Sequence, residues 1–228
     1  MYAALGASGF FASLYLQSAG IGYTAFEAGI VQLPTTILLL VFAPTFGRLA
    51  DRDGPRRYLV AGPLLFAVGS LLLATVDSRT VDLVGSAPWV TFDGFDALVP
   101  GLLLWGLGLA MLVSPITSTA LRAAPDAQAG IASAVSNLAA RVGTLLAIAL
   151  LGLLVAWVFD QSVIDDLDRS AWAGVEPFSS TSDVRSGGDL DAWRVAMVGC
   201  AVLAVAGALV SWVGLRGMAV GPIEPETR

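Results

Sequence analysis

Two apolar stretches with four clustered arginines between them constrain the fold of this chain more than any other feature. The arginines are Arg48, Arg52, Arg56 and Arg57. Each flanking stretch approaches the roughly 20 apolar residues that a helix needs to cross a bilayer. Because basic residues are enriched in the cytoplasmic loops of membrane proteins, the pattern predicts a membrane hairpin with the segment 47–57 as its cytoplasmic loop.

The composition supports a membrane protein and excludes several functional classes. Hydrophobic residues make up 56% of the 228 residues and charged residues 13%, with a mean hydropathy of +0.78. This leaves too little polar surface for an ordinary water-soluble domain. With one cysteine and no histidine, an intrachain disulfide and Ser-His or Cys-His catalysis are excluded. We expect no enzymatic activity, no cofactor and no metal site, and the net charge of −6 argues against nucleic acid.

The apolar stretches predict an all-α membrane protein with six transmembrane helices in a single domain. The spans are expected at about 2–18, 28–46, 58–76, 97–121, 130–159 and 192–215. The fourth span contains Pro115, which removes a backbone hydrogen bond, and we expect a kink there.

Placing the arginine loop in the cytoplasm fixes the side of every other segment, because successive spans alternate. Both termini are then cytoplasmic, including the tail 217–228, and the segments 77–96 and 160–191 are external loops. Seven arginines fall inside and four outside, which supports this orientation in the plasma membrane. The opposite orientation would expose the four clustered arginines on the outside.

The segment 47–57 also carries a spacing of glycine, acidic and basic residues that a topology signal does not need. It resembles the signature loop of the major facilitator superfamily, and the chain is similar to the second half of drug:proton antiporters with fourteen predicted spans. Two further stretches, 14–34 and 125–143, are similar to the same half. Pro55 departs from the pattern, which usually has a basic residue there. The matching positions are Gly47, Leu49, Asp51, Arg52, Gly54, Arg56 and Arg57.

The resemblance implies one half of a transporter, a six-helix bundle built from two inverted three-helix repeats. A substrate cavity would lie between this bundle and a second one, either another copy of the chain or a separate amino-terminal half. The implied function is proton-coupled efflux of amphipathic organic compounds or drugs. No Asp, Glu, His or Lys lies within a predicted span, so the second half would have to supply the proton-carrying groups. The alternative is a non-transporting membrane fragment or scaffold subunit.

The resemblance further implies that the loop is a conformational latch. Its residues would be Gly47, Asp51, Arg52, Gly54, Arg56 and Arg57. Glycine permits a tight turn and close helix approach, and an aspartate in this position can pair with a neighbouring arginine or a helix amino terminus. The alternative is that the arginines only anchor the topology against anionic lipid.

A few polar residues lie inside the predicted spans, where an unpaired polar group is costly. The candidates for a cavity lining are Gln17, Gln32, Ser133, Asn137 and Arg141. The last three recur every four residues and so share one face of the fifth helix. Two alternatives stay open. The glutamines would serve as interhelical hydrogen bonds, and Arg141 would extend to the cytoplasmic edge, because the apolar run after it can span a membrane by itself.

Overall fold

A computed structural model describes residues 1–17, 24–75, 98–122, 128–172 and 181–214. All regular secondary structure in these ranges is helical, which confirms the all-α fold class. The helices are α1 (Tyr2–Leu16), α2 (Ala25–Asp53), α3 (Pro55–Ala74), α4 (Leu98–Arg122), α5 (Ala129–Trp172) and α6 (Thr181–Gly214).

Four of these helices contain segments long and apolar enough to cross a membrane, namely α2, α3, α5 and α6. The apolar segments found in α1 and α4, Tyr2–Leu16 and Pro100–Val113, are shorter. The chain is therefore a multi-pass membrane protein, and the count of six spans stays a prediction. α4 continues through Pro115 as one helix.

The start of α2 is fixed by a reciprocal pair of hydrogen bonds. The Thr24 hydroxyl accepts a bond from the Glu27 backbone N–H at 3.3 Å, and the Glu27 carboxylate accepts one from the Thr24 backbone N–H at 2.8 Å. Each bond satisfies a backbone donor that the first helical turn leaves unpaired. The capping box starts α2 a few residues before the apolar run.

The segment 47–57 is not the loop that we predicted from its charges. α2 continues to Asp53 and α3 begins at Pro55, so that only Gly54 separates the two helices. Gly54 has φ 91° and ψ 139°, a conformation that glycine alone adopts at little cost. Proline at the next position favours a new helix, because its fixed φ is helical and its missing N–H is not needed there.

The predicted external loop 160–191 is also largely helical where the structure describes it. α5 continues to Trp172 and α6 begins at Thr181. The polar residues that end the apolar run of α5 include neither proline nor glycine up to the end of the helix, so nothing local stops it. With 44 residues, α5 is about 66 Å long, twice the roughly 30 Å hydrocarbon core. The predicted loop 77–96 and tail 217–228 lie outside the described residues.

The core of the bundle is built around α3, which packs mainly against α4 and α6. In addition, α2 packs against α4, whereas α1 and α5 pack against each other and against α6. The α3–α4 contact brings backbones together through glycines at seven-residue spacing, Gly62 and Gly69 on α3 with Gly101 and Gly108 on α4. Small residues at such positions are typical of close helix packing in membranes.

The helices α2 and α5 are covered far less than the others. In their apolar segments only 11% and 6% of the residues are buried, compared with 44% in α3 and 33% in α6. Each therefore has a long apolar face that no described part of the chain covers. Such a face in a membrane protein contacts lipid or another protein.

Candidate functional sites

The arginine segment places its charged side chains on the surface around the α2–α3 corner. Asp51, Arg52, Arg56 and Arg57 are exposed, whereas both glycines that we predicted to act with them, Gly47 and Gly54, are buried. In the described part of the chain, no ion pair forms at the four clustered arginines. Their guanidinium groups are thus accessible to an external anion or to another protein.

A hydrogen bond that the sequence analysis missed joins the two sides of this corner. The Tyr58 hydroxyl of α3 donates to Asp53 Oδ2 at the end of α2, at 3.4 Å. The two residues flank the Gly54–Pro55 break, and their proximity follows from a turn made by a single residue. Asp53 was predicted in the loop and Tyr58 at the start of the third span, so the sequence analysis offered no signal for this bond.

The two glutamines come together around Ser13 on α1. Gln32 of α2 donates to the Ser13 hydroxyl at 3.3 Å and to the carbonyl of Ala28 in its own helix at 3.4 Å. Gln17 donates to the Ser13 carbonyl at 3.0 Å and is exposed. Gln32 therefore links α1 to α2, whereas the bond of Gln17 stays within α1 and its C-cap.

The polar face of α5 borders an open groove of about 430 Å³. Asn137 and Arg141 line it, and Ser133 lies one turn before them on the same face without lining it. All three are exposed. The described lining residues are Asn137, Ala140, Arg141, Thr144 and Leu145. Neither glutamine belongs to this set, so the five predicted lining residues form two separate groups.

Two threonines that the sequence analysis did not single out connect helices across the bundle. Thr35 of α2 donates to the carbonyl of Leu102 on α4 at 3.3 Å, and Thr144 of α5 donates to the carbonyl of Tyr2 on α1 at 3.1 Å. A threonine inside an apolar helix often bonds to its own preceding turn, so the sequence gives no indication of an interhelical partner.

Each of these threonine contacts also includes a glycine. Gly106 of α4 packs on the backbone of Thr35, and Gly6 of α1 packs on the side chain of Thr144. In both cases the glycine lies four residues after the accepting carbonyl. The same local arrangement therefore occurs twice, with α1 exchanged for α4 and α2 for α5.

Groups of acidic, cysteine or histidine side chains that could hold a metal ion do not occur among the described residues. The one thiol, Cys200, is fully buried in the core. Among the described residues, the charged corner between α2 and α3 and the groove on α5 are therefore the candidate functional sites that we consider.

Comparison with known proteins gives consistent matches over most of the chain. The sequence profile of the Major Facilitator Superfamily matches residues 1–226. The multidrug resistance protein Stp of Mycobacterium tuberculosis is 29% identical over 175 residues, covering 73% of this chain and 30% of that protein. A triacylglyceride transporter of Mycolicibacterium smegmatis is 33% identical over 159 residues, covering 70% of this chain and 28% of that protein.

A third relative comes from a different genus. The tetracenomycin C resistance and export protein of Streptomyces glaucescens is 31% identical over 164 residues, which cover 72% of this chain and 27% of that protein. The chain thus matches less than a third of the length of each of these relatives.

Proposed function

The chain belongs to the major facilitator superfamily, a family of transporters rather than enzymes, and we propose that it forms one six-helix bundle of an exporter for amphipathic organic compounds. Relatives named for multidrug resistance, for export of tetracenomycin C and for triacylglyceride transport support a cargo with a substantial apolar part. The bundle would lie in the plasma membrane with both termini in the cytoplasm, and its triplets α1–α3 and α4–α6 would be inverted repeats.

The observation that carries this proposal is the lack of cover on α2 and α5. Only 11% and 6% of the residues in their apolar segments are buried, and α5 exposes Asn137 and Arg141 on one of its faces. A face that presents an amide and a guanidinium is a poor surface for lipid alone. A second six-helix bundle on these helices, from another copy or from a separate amino-terminal half, would enclose a cavity.

The three polar features would then have different roles. The α5 groove, with Ser133 one turn away, would border the cavity for the small organic substrate, and Gln17 and Gln32 would line or brace its α1–α2 side. The charged corner would act as the conformational latch, because its arginines are exposed and face outward from the bundle. Proton coupling would rely on carboxylates of the second bundle, since the predicted spans contain none.

Two measurements test the proposal: the mass of the assembled protein and the export of a dye. Native mass spectrometry of the chain purified from its own membranes gives the composition of the assembly, and accumulation of an amphipathic cationic dye in expressing cells gives the activity. We expect a two-bundle assembly and lower dye accumulation than with an empty vector. A monomer without any effect on dye accumulation would contradict the proposal and favour a non-transporting subunit.

A further inference from the structure

The two threonine contacts allow the surroundings of Arg141 to be compared with those of an equivalent residue. Gln32 lies three residues before Thr35, and Arg141 lies three residues before Thr144. Both side chains therefore start from the same position relative to their threonine contact. Gln32 uses this position to donate a hydrogen bond to the Ser13 hydroxyl on α1.

The same comparison places an apolar residue where Arg141 would need a partner. Ser13 lies eleven residues after Tyr2, the acceptor in one contact, and Val113 lies eleven residues after Leu102, the acceptor in the other. A valine side chain offers no hydrogen-bond acceptor. Within the ranges that the structure describes, Arg141 has no hydrogen-bond or ion-pair partner.

Arg141 lies within the apolar segment of α5, Gly130–Gln161, and an almost entirely apolar run follows it. From Val142 to Phe159 the only polar side chain is that of Thr144, and Asp160 follows. This run is about 27 Å long as a helix, close to the thickness of the hydrocarbon core. Taking this run as the membrane span places the guanidinium group near one edge of the hydrocarbon, at the level of lipid headgroups, and this group cannot become neutral by losing a proton. It therefore keeps its charge and attracts anions.

The groove beside Arg141 has the room and the chemistry for such an anion. Its volume of about 430 Å³ suits a small-molecule headgroup. Asn137 and Arg141 provide hydrogen-bond donors on the side away from the apolar run, and Leu145 provides an apolar wall on the other side. Along α5, the hydrogen-bond donors therefore come first and the apolar surface second. A membrane lipid presents its headgroup and its acyl chains in the same order.

We propose that this groove binds an anionic membrane lipid, with the Arg141 guanidinium paired to the phosphate and Asn137 donating a second hydrogen bond. The acyl chains lie along the exposed apolar face that runs from Val142 through Leu145. The lipid occupies the groove in the single bundle, before a second bundle covers α5 and the groove borders a substrate cavity, so its binding is measured without transport.

Lipid binding to the purified full chain tests the site. Native mass spectrometry measures the affinity for dioctanoyl phosphatidylglycerol and for the zwitterionic dioctanoyl phosphatidylcholine. We expect tighter binding of phosphatidylglycerol, and Arg141→Gln should weaken it about tenfold because a charge-assisted hydrogen bond is lost, without an effect on phosphatidylcholine. Arg141→Lys keeps the charge and should retain most of the affinity.

A second arginine provides the matched control. Arg194 on α6 is also exposed, but it already pairs with Asp191 at 3.4 Å, so Arg194→Gln should leave lipid affinity unchanged. Asn137→Leu, which leaves the charge in place, should weaken phosphatidylglycerol binding about threefold.

Three results would overturn the proposal. Equal affinity for the two lipids would leave a carboxylate of a second bundle as the counter-ion of Arg141. An equal loss of affinity in Arg141→Gln and Arg194→Gln would indicate a general effect of surface charge. Displacement of phosphatidylglycerol by an equal concentration of inorganic phosphate would mean that the groove takes the free ion rather than the lipid.

Discussion

At the scale of single residues, glycines decide how closely α3 and α4 approach each other. A Cβ atom added at Gly69 would lie 2.6 Å from the backbone nitrogen of Trp105, and one added at Gly108 would lie 2.5 Å from that of Phe66. The obstacle in both cases is backbone, which cannot rotate away as a side chain can. These glycines are therefore needed for the contact on which the core depends.

Gly108→Ala should destabilise the bundle by about 1–3 kcal/mol, because the two helices must separate to accept the methyl group. Gly9→Ala is the matched control: nothing lies within 4 Å of a Cβ at this position in α1. This variant should lose no stability and can gain up to about 1 kcal/mol from the better helix propensity of alanine. Unfolding in mixed micelles with increasing dodecyl sulfate, followed by circular dichroism, measures both. Equal midpoints for the two variants would contradict the close α3–α4 contact.

Another single residue, Trp193 of α6, forms a hydrogen bond with the carboxyl-terminal turn of α3. The Trp193 indole N–H of α6 donates to the carbonyl of Leu73 at 2.8 Å, and its ring stacks on Tyr15 with centroids 4.4 Å apart. Leu73 belongs to the last turn of α3, where its carbonyl receives from the described backbone only the N–H of the C-cap Thr75, which it shares with Leu72. The bond thus satisfies a buried acceptor.

Trp193→Phe keeps a ring for the stacking but removes the donor, and it should destabilise the bundle by about 1–2 kcal/mol. Trp157→Phe on α5 is the control, because that side chain is 64% exposed. The same micelle unfolding measurement distinguishes them. A Trp193 variant as stable as the Trp157 variant would mean that water or another donor replaces the lost bond.

At the scale of elements, the α2–α3 corner explains why one sequence prediction was wrong. The charged residues of the segment 47–57 led us to predict a loop, yet charge marks where a helix leaves the apolar layer and not where it ends. Gly54 and Pro55 alone carry the chemistry that ends one helix and starts another. The same reasoning applies to the polar end of α5, which stays helical to Trp172.

Gly54→Ala should destabilise the corner by about 1–3 kcal/mol, because a side chain is strained at φ 91° and ψ 139°. Gly29→Ala, in the helical part of α2 with open space around it, should not. Hydrogen exchange of the amides from Ala50 to Leu59 localises the effect. Unchanged protection there in Gly54→Ala would contradict the one-residue connection.

At the scale of the whole molecule, a second bundle that covers α2 and α5 would also meet the charged corner, because this corner lies at the end of α2. If the corner is a latch, its acidic residue matters through its charge. Asp51→Asn keeps the size of the side chain and should abolish dye export by the assembled transporter without changing insertion in the membrane.

Asp53→Asn is the control for this prediction. Asp53 accepts its hydrogen bond from Tyr58 within the chain, and an asparagine oxygen can still accept it, so export should be largely retained. The measurements are dye accumulation in cells and the amount of each variant in the membrane fraction. Unchanged export in Asp51→Asn at normal abundance would leave the arginines as topology anchors only.

The sequence by itself determined that this is an all-helical, multi-pass membrane protein of the major facilitator superfamily. Apolar runs of membrane length and the spacing of a short motif are local properties, which a sequence displays directly. The tertiary structure alone decided which polar groups are paired. Gln32 donates to a serine on α1, whereas Arg141, at the equivalent position of α5, has no partner among the described residues. The register between helices distant in the chain sets that difference, and it is fixed only when close contacts at residues such as Gly6 and Gly106 hold the helices together.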